Sequence, residues 1–96
     1  MKKEITRDYE NNTLTLVTSN RQRAWLAEIT GKDEKYIFAR KFLEPSDDRG
    51  RCIDFTLEEG KLYCWNESKE QHFGIVENGK LYEISKQDAK EIVENK

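Results

Sequence analysis

FGIVENGKLYEI, residues 73–84, is the stretch that decides the fold. Phe73 and Ile75 alternate with Gly74 and Val76 before a central Asn78-Gly79 pair, and a second short segment with apolar residues follows the pair. Such a pair favours a type I′ turn, because both central residues of that turn need a positive φ. The stretch therefore predicts a β-hairpin that joins residues 73–77 to residues 80–84.

The residues after this hairpin predict one short helix, over 86–95. Ser85 can accept a hydrogen bond from the backbone N–H of Asp88, and an acidic residue at that position suits a capping box. Ala89, Ile92 and Val93 follow at the spacing of one narrow apolar stripe. Because a helix of about ten residues is unstable alone, we expect it to pack on the sheet.

The chain before the hairpin carries further stretches of strand-forming residues joined by short polar loops. They cover residues 14–18, 21–30, 36–43, 52–57 and 61–66. The pattern predicts a mainly β (α+β) fold of six or seven strands, and residues 3–8 are a further candidate strand. We expect a small antiparallel β-meander or barrel with one C-terminal helix. A length of 96 residues predicts a single domain over 1–96.

The two cysteines, the N-terminal residues and the apolar content indicate the cellular compartment. A two-residue turn at Glu59-Gly60 would place Cys64 opposite Phe55, which leaves Cys52 too far from Cys64 for a disulfide. The N-terminus has no apolar h-region, and no apolar run approaches the length of a membrane span. We therefore expect a cytoplasmic protein with two free thiols and no membrane association.

No residue pattern in the chain is typical of an enzyme. His72 is the only histidine, and its spacing from the two cysteines does not match a structural zinc site. The acidic pairs sit in predicted turns, where Asp is favoured because it bonds to backbone groups, and no Gly-rich phosphate loop is present. The sequence therefore predicts no catalytic residues, no metal and no cofactor.

Charge is unevenly distributed along the chain. The net charge is −2, but all six arginines lie in residues 1–51, which carry 11 basic and 9 acidic residues. Residues 52–96 carry 6 lysines and 10 acidic residues. Arginine suits phosphate, carboxylate and aromatic recognition, so the first half is the better candidate for a polar binding face.

Basic and aromatic residues occur together on several predicted strands. A loop centred near residues 32–33 would place Trp25 opposite Arg40 and Arg23 opposite Phe42, with cations about 5 Å from rings. Surfaces of this kind bind single-stranded nucleic acid. The candidate binding residues are Arg21, Arg23, Trp25, Arg40, Lys41, Arg49, Arg51, Tyr63 and Trp65.

Two hypotheses for function follow. The first is a non-enzymatic module that binds nucleic acid, most readily a single strand, through this arginine and aromatic β-surface. The alternative is a small protein-interaction module, an inhibitor or adaptor, that acts through its acidic C-terminal half or a sheet edge. The clustered arginines favour the first hypothesis, and the net acidity favours the second. A third interpretation, that the aromatic residues simply fill the core, applies to at least some of them.

Overall fold

A computed structural model describes residues 3–4, 13–17, 25–31, 39–67 and 70–95, which form nine strands and one helix. The early strands are β1 (Lys3–Glu4), β2 (Thr13–Val17), β3 (Trp25–Gly31), β4 (Ala39–Phe42) and β5 (Asp47–Asp48). The later elements are β6 (Cys52–Thr56), β7 (Leu62–Glu67), β8 (Glu70–Glu77), β9 (Lys80–Ile84) and α1 (Lys86–Glu94). The mainly β fold with a C-terminal helix is confirmed.

The strands form two antiparallel sheets. The large sheet has the order β1-β9-β8-β7-β3-β4, and the small sheet has the order β2-β6-β5. Neither sheet closes on itself among the described residues, so the structure fits the predicted meander and shows no closed barrel there. The helix begins at Lys86 as expected and ends one residue before the predicted end.

The two sheets pack face to face around the first of two hydrophobic clusters. In the small sheet, β2 and β6 provide the side chains that face the large sheet. In the large sheet, β3, β7, β8 and β9 provide the side chains that face the small sheet. We call this side of the large sheet its inner face. The cluster comprises Leu14, Leu16, Leu26, Phe55, Leu57, Tyr63, Trp65, Val76 and Leu81.

The opposite side of the large sheet, its helix face, packs against α1. The second hydrophobic cluster lies on this face. Ala89 is fully buried in it, and Ile92 and Val93 pack against it, as the apolar stripe predicts. The Ser85 hydroxyl accepts the Asp88 N–H at 3.0 Å, which confirms the predicted N-cap. The large sheet therefore lies as a middle layer between the small sheet and the helix.

The hairpin β8–β9 has the predicted turn. Asn78 and Gly79 both have positive φ, 54° and 73°, and Glu77 pairs with Lys80. The Glu59 carboxylate accepts the Asn78 and Gly79 N–H groups, the latter at 2.9 Å. This contact ties the hairpin turn to the loop that connects the two sheets.

The predicted hairpin between β6 and β7 is wrong. β6 pairs with β2 and β5, whereas β7 pairs with β3 and β8. After the turn, the Gly60 N–H donates to the Val76 carbonyl at 2.8 Å, so the chain joins the large sheet directly. The apolar residues of both segments allow face-to-face packing as readily as side-by-side pairing. Cys52 and Cys64 consequently lie in different sheets, and both thiols are free.

The hairpin between β3 and β4 exists, but its predicted register is wrong. Arg40 lies opposite Ile29 rather than Trp25, and Phe42 lies opposite Ala27. The register shifts at a bulge between Ile29 and Gly31. Because the shift from Trp25 to Ile29 is an even number of residues, the side chains keep their predicted faces.

No helix in the described part of the chain is long and apolar enough to cross a membrane.

Candidate functional site: the β4 edge

The outermost strand of the large sheet, β4, presents an exposed aromatic side chain. Phe42 is 65% exposed, and the other large apolar side chain exposed in the described residues is Val17, at 59%. The helix packs on β8, and β7 and β3 lie between that strand and β4. Phe42 therefore lies on the helix face beyond the part that the helix covers.

Trp25 and Arg40 lie on the same face as Phe42, and we call these three residues the β4 edge patch. The Trp25 ring meets the Phe42 ring edge to face, with centroids 5.6 Å apart and planes at 71°. Trp25 is half-buried and also packs against the cluster beneath the helix. This packing anchors the indole, so the two rings form a preformed apolar surface next to a cation.

Arg40 is the exposed cation of the patch. Burial raises the pKa of the Cys64 thiol, while the nearby Arg40 charge and a hydrogen bond with Gln71 act in the opposite direction. Within the described residues neither Arg40 nor its neighbour Lys41 forms an ion pair, whereas Glu28, opposite Lys41, pairs with Lys61 at 3.2 Å. Arg40 is thus an exposed cation without an acidic partner among the described residues.

The other predicted basic residues do not join this patch. Lys41 is on β4 but points to the opposite face, because side chains alternate along a strand. Arg49 and Arg51 are exposed beside the small sheet, on the far side of the molecule. The Arg49 guanidinium is engaged by Asp54 at 3.0 Å and Asp47 at 3.4 Å. Its charge is thus largely balanced within the protein.

Two of the predicted stacking residues are buried. Tyr63 is 2% exposed and Trp65 is 1% exposed, both in the cluster between the sheets. The Tyr63 hydroxyl accepts the Glu58 N–H at 2.8 Å, and burial raises the pKa of that phenol. Neither ring can stack on a ligand while the sheets remain packed, so the inclusion of Tyr63 and Trp65 in the binding surface is corrected. The predicted residues Arg21 and Arg23 lie outside the described residues.

A second concave surface lies where β8 and β9 meet the start of the helix. This cavity of about 400 Å³ is lined in part by His72, Phe73, Glu83 and Ser85. The His72 ring stacks on Trp65 with centroids 5.7 Å apart, and its Nδ1 lies 3.7 Å from a Glu83 carboxylate oxygen. These contacts hold His72 against the sheet. No group of three or more potential metal ligands occurs in the described residues.

Phe42 is the member of the patch that sequence reasoning missed as a binding residue. It was expected to face Arg23 across a hairpin, and its exposure depends on how far the helix reaches across the sheet. The available signal was its position two residues after Arg40, since residues at that spacing share a face of a strand.

Comparison with known proteins gives no relative from which a role could be transferred. The chain matches no family model, no curated protein sequence and no solved structure. The class that the fold defines is a small β-rich domain with two packed sheets and one helix. Its candidate site is the β4 edge patch.

Proposed function

We propose that the protein is a non-enzymatic interaction module that binds a protein partner through the β4 edge patch. The observation that carries this proposal is the exposure of Phe42, at 65%, beside a half-buried Trp25 and an arginine. Aromatic residues and arginine are enriched in protein interfaces and dominate their binding energy. This agrees with the hypothesis of a module that acts through a sheet edge.

Nucleic-acid binding is a second candidate, and one observation favours it. A cation that pairs with no described acidic group, next to two aromatic rings, is also how proteins hold single strands. Against it stand the burial of Tyr63 and Trp65 and the separation of Arg49 and Arg51 from Arg40. Strand binding needs several cations along one track, and the β4 edge patch itself holds one exposed cation, Arg40.

Photo-crosslinking from the patch distinguishes these candidates. Phe42→p-benzoylphenylalanine, expressed in cells that make the protein, should yield a discrete adduct that protease digestion removes and nuclease digestion leaves. Val17→p-benzoylphenylalanine is the matched control, because Val17 is similarly exposed but lies on the small sheet. We expect no such adduct from position 17.

The adduct at position 42 should also disappear when Arg40→Ala is added, since the proposal places the partner on both residues. An adduct that nuclease removes supports the nucleic-acid candidate. Equal adducts at positions 42 and 17, or none at either, would contradict the proposed function.

A further inference from the structure

We infer that the partner segment is an extended, acidic strand that adds to the outer edge of β4. The inference rests on the proposed function and specifies the chemistry of the partner. It is carried by three features of β4: the direction of its backbone groups, the charge of its two central residues, and the exposed ring at its end.

The direction of the backbone groups follows from the register with β3. The Leu43 N–H donates to the Leu26 carbonyl at 3.0 Å. In an antiparallel pair, residues that bond across the pair alternate with residues whose N–H and C=O groups point away. Lys41 therefore points its backbone groups toward β3, and Arg40 and Phe42 point theirs outward. No strand among the described residues pairs with that outer edge.

The residues with outward backbone groups are also the residues of the patch. A strand added beside β4 would bond to Arg40 and Phe42 through the main chain. Its alternate side chains would lie on the helix face, next to the Phe42 ring and the Arg40 guanidinium. Main-chain bonding and side-chain recognition thus fall on the same two residues.

The positive charges of β4 disfavour a second copy of this chain as the added strand. Arg40 and Lys41 are adjacent and exposed, and β4 contains no acidic residue. In antiparallel registers centred on the strand, two copies of β4 would place Arg40 or Lys41 directly opposite Arg40 or Lys41. Like charges in directly opposite positions destabilise a strand pair, and cations on an edge strand discourage self-association.

The same charges select for an acidic partner. In an antiparallel arrangement, a strand of complementary chemistry places an apolar residue opposite Phe42 and acidic residues opposite Lys41 and Arg40. Its recognition sequence is therefore one apolar residue followed by two acidic residues. One acid would meet Arg40 on the helix face, and the other would meet Lys41 on the opposite face.

Amide NMR on the full chain tests this inference with synthetic peptides. The first probe carries two adjacent glutamates between valines, and the matched probe carries lysines in place of the glutamates. The glutamate peptide should shift the Arg40 and Phe42 amide resonances and slow their hydrogen exchange. It should leave Lys41 and Leu43 much less changed, because their N–H groups already face β3. It should bind at least about tenfold more tightly than the lysine peptide, and added salt should weaken it.

Charge reversal supplies the matched variants. Arg40→Glu should abolish the preference for the glutamate peptide, whereas Lys86→Glu, the same charge change at an exposed position on the helix, should keep it. Equal binding of the two peptides, or binding of neither, would overturn the inference. So would tighter binding of an oligothymidylate probe at Arg40 and Phe42.

Failure of this inference can be distinguished from failure of the proposed function. If the position 42 crosslink captures a protein but the glutamate peptide does not bind, the inference fails and the proposed function stands. If neither the crosslink nor the peptide gives a signal, both fail.

Discussion

The variant Trp65→Ala is expected to lose about 3–5 kcal/mol of unfolding free energy, because it removes a large side chain from the centre of a packed core. Trp65 is 1% exposed and fills the space between the two sheets. A Cβ placed on Gly74 would lie 3.0 Å from the Trp65 ring and 2.9 Å from Leu81, which shows how closely the ring is enclosed. Urea denaturation followed by circular dichroism measures the loss.

Trp65→Phe is the control for this prediction. The Trp65 indole N–H is buried and has no hydrogen-bond partner in the structure. A buried donor without a partner destabilises a fold by about 1–3 kcal/mol, so its removal offsets part of the volume lost. Trp65→Phe should therefore lose less than half of what Trp65→Ala loses. A Trp65→Phe loss of more than half would mean that the indole N–H is hydrogen-bonded in solution.

Ile92→Asp is expected to lose about 2–4 kcal/mol, since it removes apolar contacts and places a carboxylate against the sheet. Ile92 packs on the helix face of the large sheet with Val93 and the buried Ala89. Ser85→Ala should lose only about 1 kcal/mol, because it removes the single capping bond to Asp88. Thermal unfolding of the two variants provides the measurement.

Glu91→Asp is the control that distinguishes the loss of packing on the sheet from the lower helix propensity of Asp. Glu91 is exposed in the same turn, so this change introduces Asp without touching the sheet, and it should lose about 0.5 kcal/mol or less. Wild-type stability in Ile92→Asp would contradict the packing of the helix on β8.

Local features of this fold were predictable from sequence because their causes lie within a few residues. The Asn78-Gly79 turn depends on the φ angles of two adjacent residues, and the Ser85 cap depends on one bond to Asp88. The two-residue period of strands also predicted that Trp25, Arg40 and Phe42 share a face. This shared face was predicted correctly despite the wrong register, because the register error was an even number of residues.

Long-range features were not predictable in the same way. Apolar residues alternate in β6, whereas β7 begins with a continuous apolar run from Leu62 to Trp65. Both patterns are compatible with adjacent strands and with facing sheets. The structure places them in facing sheets, which buries Tyr63 and Trp65 between them. Arg49 is separated from Arg40 for a similar long-range reason. Arg49 directly follows β5, which pairs in the small sheet, whereas Arg40 lies on β4 of the large sheet.

The affinity for the crosslinked partner tests the central claim most directly. Isothermal titration should compare the wild-type protein with Phe42→Ser and Val17→Ser. These variants remove, from opposite layers, the two large apolar side chains that are exposed in the described residues. We predict that Phe42→Ser weakens binding at least about tenfold, as loss of a central aromatic contact does. Val17→Ser should stay within about twofold of the wild type, as expected for a surface change outside the interface. Equal affinities for Phe42→Ser and the wild type would contradict the assignment of the β4 edge patch as the binding site.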